Sequence, residues 1–211
     1  RGNQLFLWRK LQCVITDNFA LLNVPRRPWL ELDSLKQTFF TLSAELHPDR
    51  AHTADTAEKH TANERSAELN AAYQCLREPR ERLRHLLELE LGAKPSDLTQ
   101  VPEDLMALFF AIGKEFRAVD ALLVEKSQAT SPLVQVQLFE RGQDGVEKLG
   151  ALRQTIAVRR DALLLELELM NVAWEISAAR PLERLQEIWR LLSFYERWLA
   201  QIQERLVKLS F

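Results

Sequence analysis

Residues 32–50, LDSLKQTFFTLSAELHPDR, decide how this chain is read. Leu35, Phe39, Leu42 and Leu46 recur three and four apart, the spacing that places apolar side chains on one face of a helix. His47-Pro48-Asp49 follows at once. Pro48 biases His47 away from α geometry, so the helix ends at the tripeptide. Beyond a polar stretch, Leu69, Ala72, Tyr73 and Leu76 repeat the helical spacing. The two apolar stripes can face each other, which predicts a helical hairpin with His47-Pro48-Asp49 at its tip and Asp49 in solvent. The tripeptide alone is weak, since chance would produce it in a chain this long with a probability on the order of one per cent. Its place between two amphipathic segments carries the weight.

Punctuation on either side divides the chain. Pro25 and Pro28 end a first apolar segment, and Asp33 is the predicted N-cap of the helix that follows. Residues 50–63 read as a loop grading into the next helix. Pro79 breaks that helix, residues 80–90 form a short fourth one, and Gly92 stands in the position of its C-terminal cap. Residues 93–101, with Pro95, Ser96 and Asp97, read as a linker. Pro102-Glu103-Asp104 then has the signature of a helix start, with proline where the N–H is unpaired and acids at the positive end of the dipole. Long helices are predicted over 102–126, 144–178 and 181–209, with a shorter one over 132–141 ended by Gly142 and Gly145.

The last segment is the most regular. Leu185, Ile188, Leu192, Tyr195, Leu199, Ile202, Leu206 and Leu209 alternate three and four apart, a heptad seam. Leu149, Leu152, Ile156, Leu163, Leu167, Met170 and Trp174 answer it, and the short Arg180-Pro181 connection makes the two helices antiparallel neighbours. No alternation of Val, Ile and Thr suggests a sheet.

Composition bounds the function. At 211 residues and 46% hydrophobic the chain can bury a sizeable core, and only 6 Gly and 8 Pro favour helices. With 28 basic against 30 acidic residues and a net charge of -2, no electrostatic footprint for nucleic acid or an anionic membrane is present. Cys13 and Cys75 are too few for a cysteine zinc site or a disulfide framework, and are read as small core residues of a protein in a reducing compartment. The apolar run Leu5-Phe6-Leu7-Trp8 is stopped by Arg9-Lys10, far short of the roughly 20 residues of a membrane span. The chain has no initiating Met, so a removed targeting segment would lie upstream of residue 1.

The histidines His47, His52, His60 and His85 come with no metal-ligand spacing, nucleophile arrangement or phosphate loop, which argues against an enzyme. His52 and His60 read as solvated loop residues. One apolar excess stands out instead. Beside its seam the last segment carries a second stripe, Leu191, Phe194 and Trp198, with Trp189 nearby. Leu105, Met106, Phe109 and Phe110 similarly exceed one seam. Such a surplus is either packed inside the protein or open to a partner.

With Asp17-Asn18-Phe19-Ala20-Leu21-Leu22 upstream, the hairpin resembles a J domain, the module by which co-chaperones stimulate ATP hydrolysis in DnaK-type chaperones. Leu69-Asn70-Ala71-Ala72-Tyr73, then Arg77-Glu78-Pro79, Arg82, Leu86-Leu87, Leu89 and Gly92, is similar to the HscB family, which serves iron–sulfur cluster assembly. The resemblance implies an all-α, L-shaped molecule: an extension at 1–16, a J domain at 17–91, a linker at 92–101 and an antiparallel three-helix bundle at 102–211. It implies that His47, Pro48, Asp49 and Arg50, with Lys36, Arg26 and Arg27, meet a DnaK- or HscA-type heat-shock 70 ATPase. Thr38, Thr41, Ala44 and Glu45 take much of the polar face that is basic in the family, so weak docking or a partner of altered charge is expected.

The resemblance also implies that Leu105, Met106, Phe109 and Phe194, with Leu191 and Trp198 in the adjoining stripe, hold an IscU-like scaffold. The family's acids on that first helix are replaced here by Phe110, Gly113 and Arg117. The expected activity is that of a co-chaperone that activates a partner's ATPase. It needs no cofactor or metal of its own, since ATP and the cluster belong to the partners. A cytoplasmic setting is expected, or the mitochondrial matrix if a targeting segment was removed. Two other readings are a divergent J-protein serving a different client and a structural helical adaptor with a degenerate J domain.

Overall fold

Asp17 starts the first helix. In the computed structural model, which describes residues 15–45, 56–95, 101–176 and 180–210, its carboxylate accepts from the N–H groups of Phe19 (3.0 Å) and Ala20 (3.2 Å), closing the single turn α1 (Asn18–Leu21). Helix α2 (Leu32–Glu45) begins one residue before the expected cap. Glu31 supplies the first carbonyl, to the Leu35 N–H at 3.0 Å, and Asp33 lies in the first turn, where its charge meets the dipole. Helix α3 (Thr56–Arg77) runs from Thr56, so the stretch 50–63 has graded into helix by that residue, and His60, expected in a loop, is helical, within 3.4 Å of Glu64. His47, Pro48, Asp49, Arg50 and His52 lie outside the described residues.

Leu35 on α2 meets Leu69, Ala72 and Leu76 on α3 in one core, and Phe39 stacks on Tyr73 at 4.3 Å between ring centroids. Pro79 sits in the first turn of α4 (Pro79–Leu91), and Gly92, at φ 68°, ends it in the left-handed conformation that glycine adopts without a Cβ clash. Leu83, Leu86 and Leu87 of α4 are fully buried.

The second group of helices starts with a 3-10 turn, Glu103–Leu105, leading into α5 (Met106–Gln128), followed by α6 (Pro132–Ile176) and α7 (Leu182–Leu209). The expected break at Gly142 and Gly145 is absent. Helix α6 runs unbroken for 45 residues, with both glycines buried inside it. Each glycine costs an isolated helix about 1 kcal/mol, but here Leu138 and Leu149 pack on either side of them and hold the helix together. At Gly145 a Cβ would stand in ordinary van der Waals contact with α7 and α5, 3.4 Å from Leu209 and 3.5 Å from Val119. Arg141 pairs with Glu125 across α5 and α6 (2.5 Å), and Arg205 with Asp120 across α7 and α5 (2.8 Å). The seam expected on α7 lies inward, with Leu185, Ile188, Leu192, Tyr195, Ile202 and Leu209 buried and Leu199 and Leu206 half-buried. Among the described residues there is no strand, and the fold is all-α.

Among the described residues the two groups of helices meet along α4 and α7, where Arg180 also pairs with Glu90, and at the far end of α6. Helix α4 packs on α7, with Arg80 Nε 3.1 Å from Glu196. At the far end of α6, Asn171 accepts from the Trp29 N–H at 3.0 Å and donates to the Trp29 carbonyl at 2.9 Å, Trp174 donates to the Arg26 carbonyl at 2.9 Å, and Glu175 pairs with Arg27. A shorter α6 would not reach the segment that leads into α2.

A continuous α6 makes Gly142 an ordinary helix-interior position with open space where its Cβ would stand. Gly142→Ala is expected to stabilise the protein by about 0.5–1 kcal/mol in urea denaturation. Loss of stability there would show that the helix bends or ends at this point.

Candidate functional site

The base of the α2–α3 hairpin is held by three side chains from beneath it. His85, buried on α4, accepts from the Asn18 N–H at 3.1 Å through Nε2 and stacks on Phe19 at 5.7 Å. With Asp17 taking the next two N–H groups, every free donor of the short α1 turn finds a partner. Asp17 also takes Arg26 at 2.6 Å. Burial opposes ionisation of Asp17, but the Arg26 guanidinium and the Ala20 and Phe19 N–H groups outweigh it and hold the carboxyl below its usual range. Burial lowers the pKa of His85, against the opposing pull of Asp17 and Glu88, so the ring is neutral when it accepts.

Arg82 is the third. Its side chain is fully buried, donating through Nε to the Pro28 carbonyl at 3.0 Å and through Nη1 to the Leu76 carbonyl at 2.8 Å, with Trp29 at 5.6 Å across its plane. Burial pulls its pKa down to about 10, and it stays protonated at neutral pH. The guanidinium ties the end of α3 to the segment entering α2. Neither Arg82 nor His85 stood out as a structural residue in the sequence, because the carbonyls and N–H groups they bind are remote along the chain.

Of the basic residues expected to face a chaperone, Lys36 is exposed on α2 with its ammonium 5.9 Å from the Phe40 ring. Arg26 and Arg27 are committed within the protein, to Asp17 and to Glu175. Cys75 is half-buried, its Sγ 3.7 Å from the Glu81 carbonyl, and burial raises its pKa. Among the described residues no three His, Cys, Asp or Glu converge as a metal site would require.

The second candidate surface lies where α5 crosses α7. Phe109 stands 6.5 Å from Trp198 and 5.7 Å from Phe110, and Phe194 lies 5.7 Å from Trp198. The residues divide into two depths. Leu105, Leu191 and Trp198 are buried and form the floor, whereas Met106 and Phe194 are half-buried, Phe109 is 40% exposed and Phe110 62%. Phe110, singled out in the sequence as apolar surplus and as a replacement for one of the family's acids, is the most open of them. Beside this patch is a cleft of about 710 Å³ lined by Val101, Pro102, Met106 and Leu191 with Glu103, Asp104, Glu187 and Arg190. Gly113 and Arg117 continue the outer side of α5, and Arg205 covers Phe116 at 3.9 Å.

Four helices with a hairpin, braced from below by α4 and followed by a helical bundle, define a class of protein. Residues 17–85 match the DnaJ domain family, and the chain is a J-domain protein. It is 35% identical over 118 residues to a co-chaperone protein HscB homolog of Paraburkholderia phymatum, covering 51% of this chain and 67% of the relative. It is 28% identical over 176 residues to the homolog of Bordetella pertussis, covering 79% and 98%. The fold matches chaperone HscB from Vibrio cholerae with a TM-score of 0.59 at 17% identity, over 90% of this chain and 96% of that one. Human co-chaperone protein HscB gives 0.55 at 18%, over 96% and 90%. The chain belongs to the HscB family of J-domain co-chaperones.

Two expectations follow from the bracing residues. Arg82→Met keeps the volume but leaves the Pro28 and Leu76 carbonyls without their donor, and is expected to cost about 2–4 kcal/mol in urea denaturation with an unchanged m-value. An unchanged midpoint would mean that the guanidinium is dispensable. For His85, the folded-state pKa lies below the ordinary 6.5, so the unfolded chain takes up its proton first. The stability it allows is complete above pH 6.5 and is lost as pH falls through the lowered folded value. Asp17, also depressed but from 3.8, acts only at lower pH. Stability measured between pH 7 and 5 is expected to fall in the wild type and to flatten in His85→Gln, whose amide oxygen can still accept from Asn18.

Proposed function

We propose that this co-chaperone engages a heat-shock 70-type ATPase through His47-Pro48-Asp49 at the tip of the α2–α3 hairpin and stimulates its ATP hydrolysis. The α5–α7 patch holds an IscU-like iron–sulfur scaffold meanwhile. The chain binds rather than catalyses: ATP and the cluster belong to its partners. On this reading the working units are a J domain at 17–91, a linker at 92–101 and a client-binding bundle at 102–211. The setting is the cytoplasm, or the mitochondrial matrix if a targeting segment has been removed.

The observation that carries the client half is the aromatic patch itself. A soluble protein gains nothing by leaving Phe109 and Phe110 in water beside half-buried Met106 and Phe194 unless a partner covers them. Leu105, Leu191 and Trp198 contribute as the packed floor that holds those rings in place. For the chaperone half, Asp49 supplies a carboxylate to a cationic groove on the ATPase. Lys36 and Arg50 are the basic residues left to steer the encounter, since Arg26 and Arg27 are engaged in internal pairs. One observation favours a second reading. Phe110, Gly113 and Arg117 stand where acids would be expected, a more apolar and more basic face that suits a different client.

In steady-state ATPase assays with a heat-shock 70 chaperone, Asp49→Asn is expected to abolish stimulation. In pull-downs with an IscU-like scaffold, Phe109→Ala and Phe194→Ala together, or Met106→Ala, are expected to weaken retention at least tenfold, about 1.4 kcal/mol or more. Stimulation without scaffold retention in the wild type would assign the patch to another client. Unaltered ATPase kinetics in Asp49→Asn would leave a helical adaptor.

A further inference from the structure

Helix α6 carries two apolar seams, and among the described residues only one is covered. Leu149, Ile156, Leu163, Leu167 and Trp174 face the core. On the opposite side, Val158, Ala162, Leu165, Leu169, Val172 and Ile176 follow one another at steps of four, three, four, three and four residues. That is the spacing of a heptad seam. The five larger residues are 58–81% exposed. The seam runs about 27 Å at 1.5 Å per residue. It offers on the order of 500 Å² of apolar surface, near the upper end for the largest patch on a soluble monomer. It lies outside the α5–α7 patch, and the proposed client site does not use it.

Charge decides what fits it. Asp161, Glu168 and Glu175 flank the seam on one side, and Glu166 and exposed Arg159 lie on the other, so the acidic flank is the one that carries Glu168. Arg160, Arg184 and Arg27 hold Asp161, Glu166 and Glu175 within the protein, while Glu168 has no ion pair among the described residues. Toward the N-terminus the same outward side continues with exposed Glu140 and Glu147. Pairing with a second copy would set acid against acid. In the antiparallel register that joins Leu165 to Leu169, Glu168 meets its own counterpart and Asp161 meets Glu175, and in the parallel one Asp161 meets Glu166. An anionic membrane is disfavoured for the same reason, since interfacial helices present Lys and Arg beside their apolar face.

We infer that the outer face of α6 from Val158 to Ile176 is a docking surface for an amphipathic helix of another protein, with an aliphatic seam flanked by lysine or arginine. The seam supplies the buried area, and the acidic flank selects the partner and its register. Because α6 also holds the Trp29 segment through Asn171, such a partner would sit on the same rigid helix that positions the J domain.

The test uses the full chain and two designed 21-residue peptides, with leucine at seam positions and either lysine or glutamate at every flanking position. By fluorescence anisotropy the lysine peptide is expected to bind at least ten times more tightly than its glutamate twin. Leu165→Ser with Leu169→Ser should remove at least tenfold of that affinity while leaving the helical circular dichroism intact, since both residues are exposed. Asp161→Lys with Glu168→Lys should shift the preference toward the glutamate peptide. Equal binding of the twins, or indifference to the serine substitutions, would overturn the assignment. So would a concentration-dependent dimer in sedimentation equilibrium that the serine substitutions abolish, which would make the occupant a second copy.

Discussion

A single buried guanidinium sets the geometry on which the rest depends. Arg82 reaches from α4 to the carbonyls of Leu76 and Pro28, and so joins the end of α3 to the segment that enters α2. A buried cation without a carboxylate partner is costly unless neutral dipoles face it, and two carbonyls and the face of Trp29 do so here, with Nη2 left without a hydrogen-bond partner among the described residues. The next residue along, Trp29, gives both its backbone groups to Asn171 of α6. Hydrogen bonds thus run from the heart of the J domain to the far end of the bundle with Pro28 and Trp29 between them.

The length of α6 serves that connection. Forty-five residues carry the helix from its pairing with α5, past α7, to the entry of α2. Two internal glycines weaken it locally, and α5 and α7 pass Gly145 at ordinary van der Waals distance. The price is an outer face with no neighbour among the described residues, because α5 ends alongside the first half of α6 and no described element packs on the opposite side of the second half. Near the α5–α7 crossing the apolar surplus is resolved differently. Its larger part sinks into the floor, and the phenylalanines at the edge stay in contact with water.

How much of this was legible differs from feature to feature. The helical class, the α2–α3 hairpin, the cap at Gly92 and the inward seam of α7 could be read directly, since each follows from residues within a few turns of one another. Gly142 and Gly145 misled, because a rule about helix ends describes an isolated helix, and here Leu138 and Leu149 bury against neighbours on both sides of the pair. Asp33 misled by two residues, since Glu31 already offers the first carbonyl. The apolar surplus on α5 and α7 was visible, but its division into floor and rim was not, because both depths use the same residue types.

The sequence by itself determined which segments are helical and which of their faces are apolar, because period and punctuation act locally. It also marked the tripeptide at residues 47–49 through its place between two amphipathic stretches. Only the tertiary structure decided what each face meets. Arg26 and Arg27, two basic residues side by side, became internal ties to Asp17 and Glu175, and Arg82 became a brace. Partners so far apart along the chain are chosen by how the helices pack, and no local pattern records that choice.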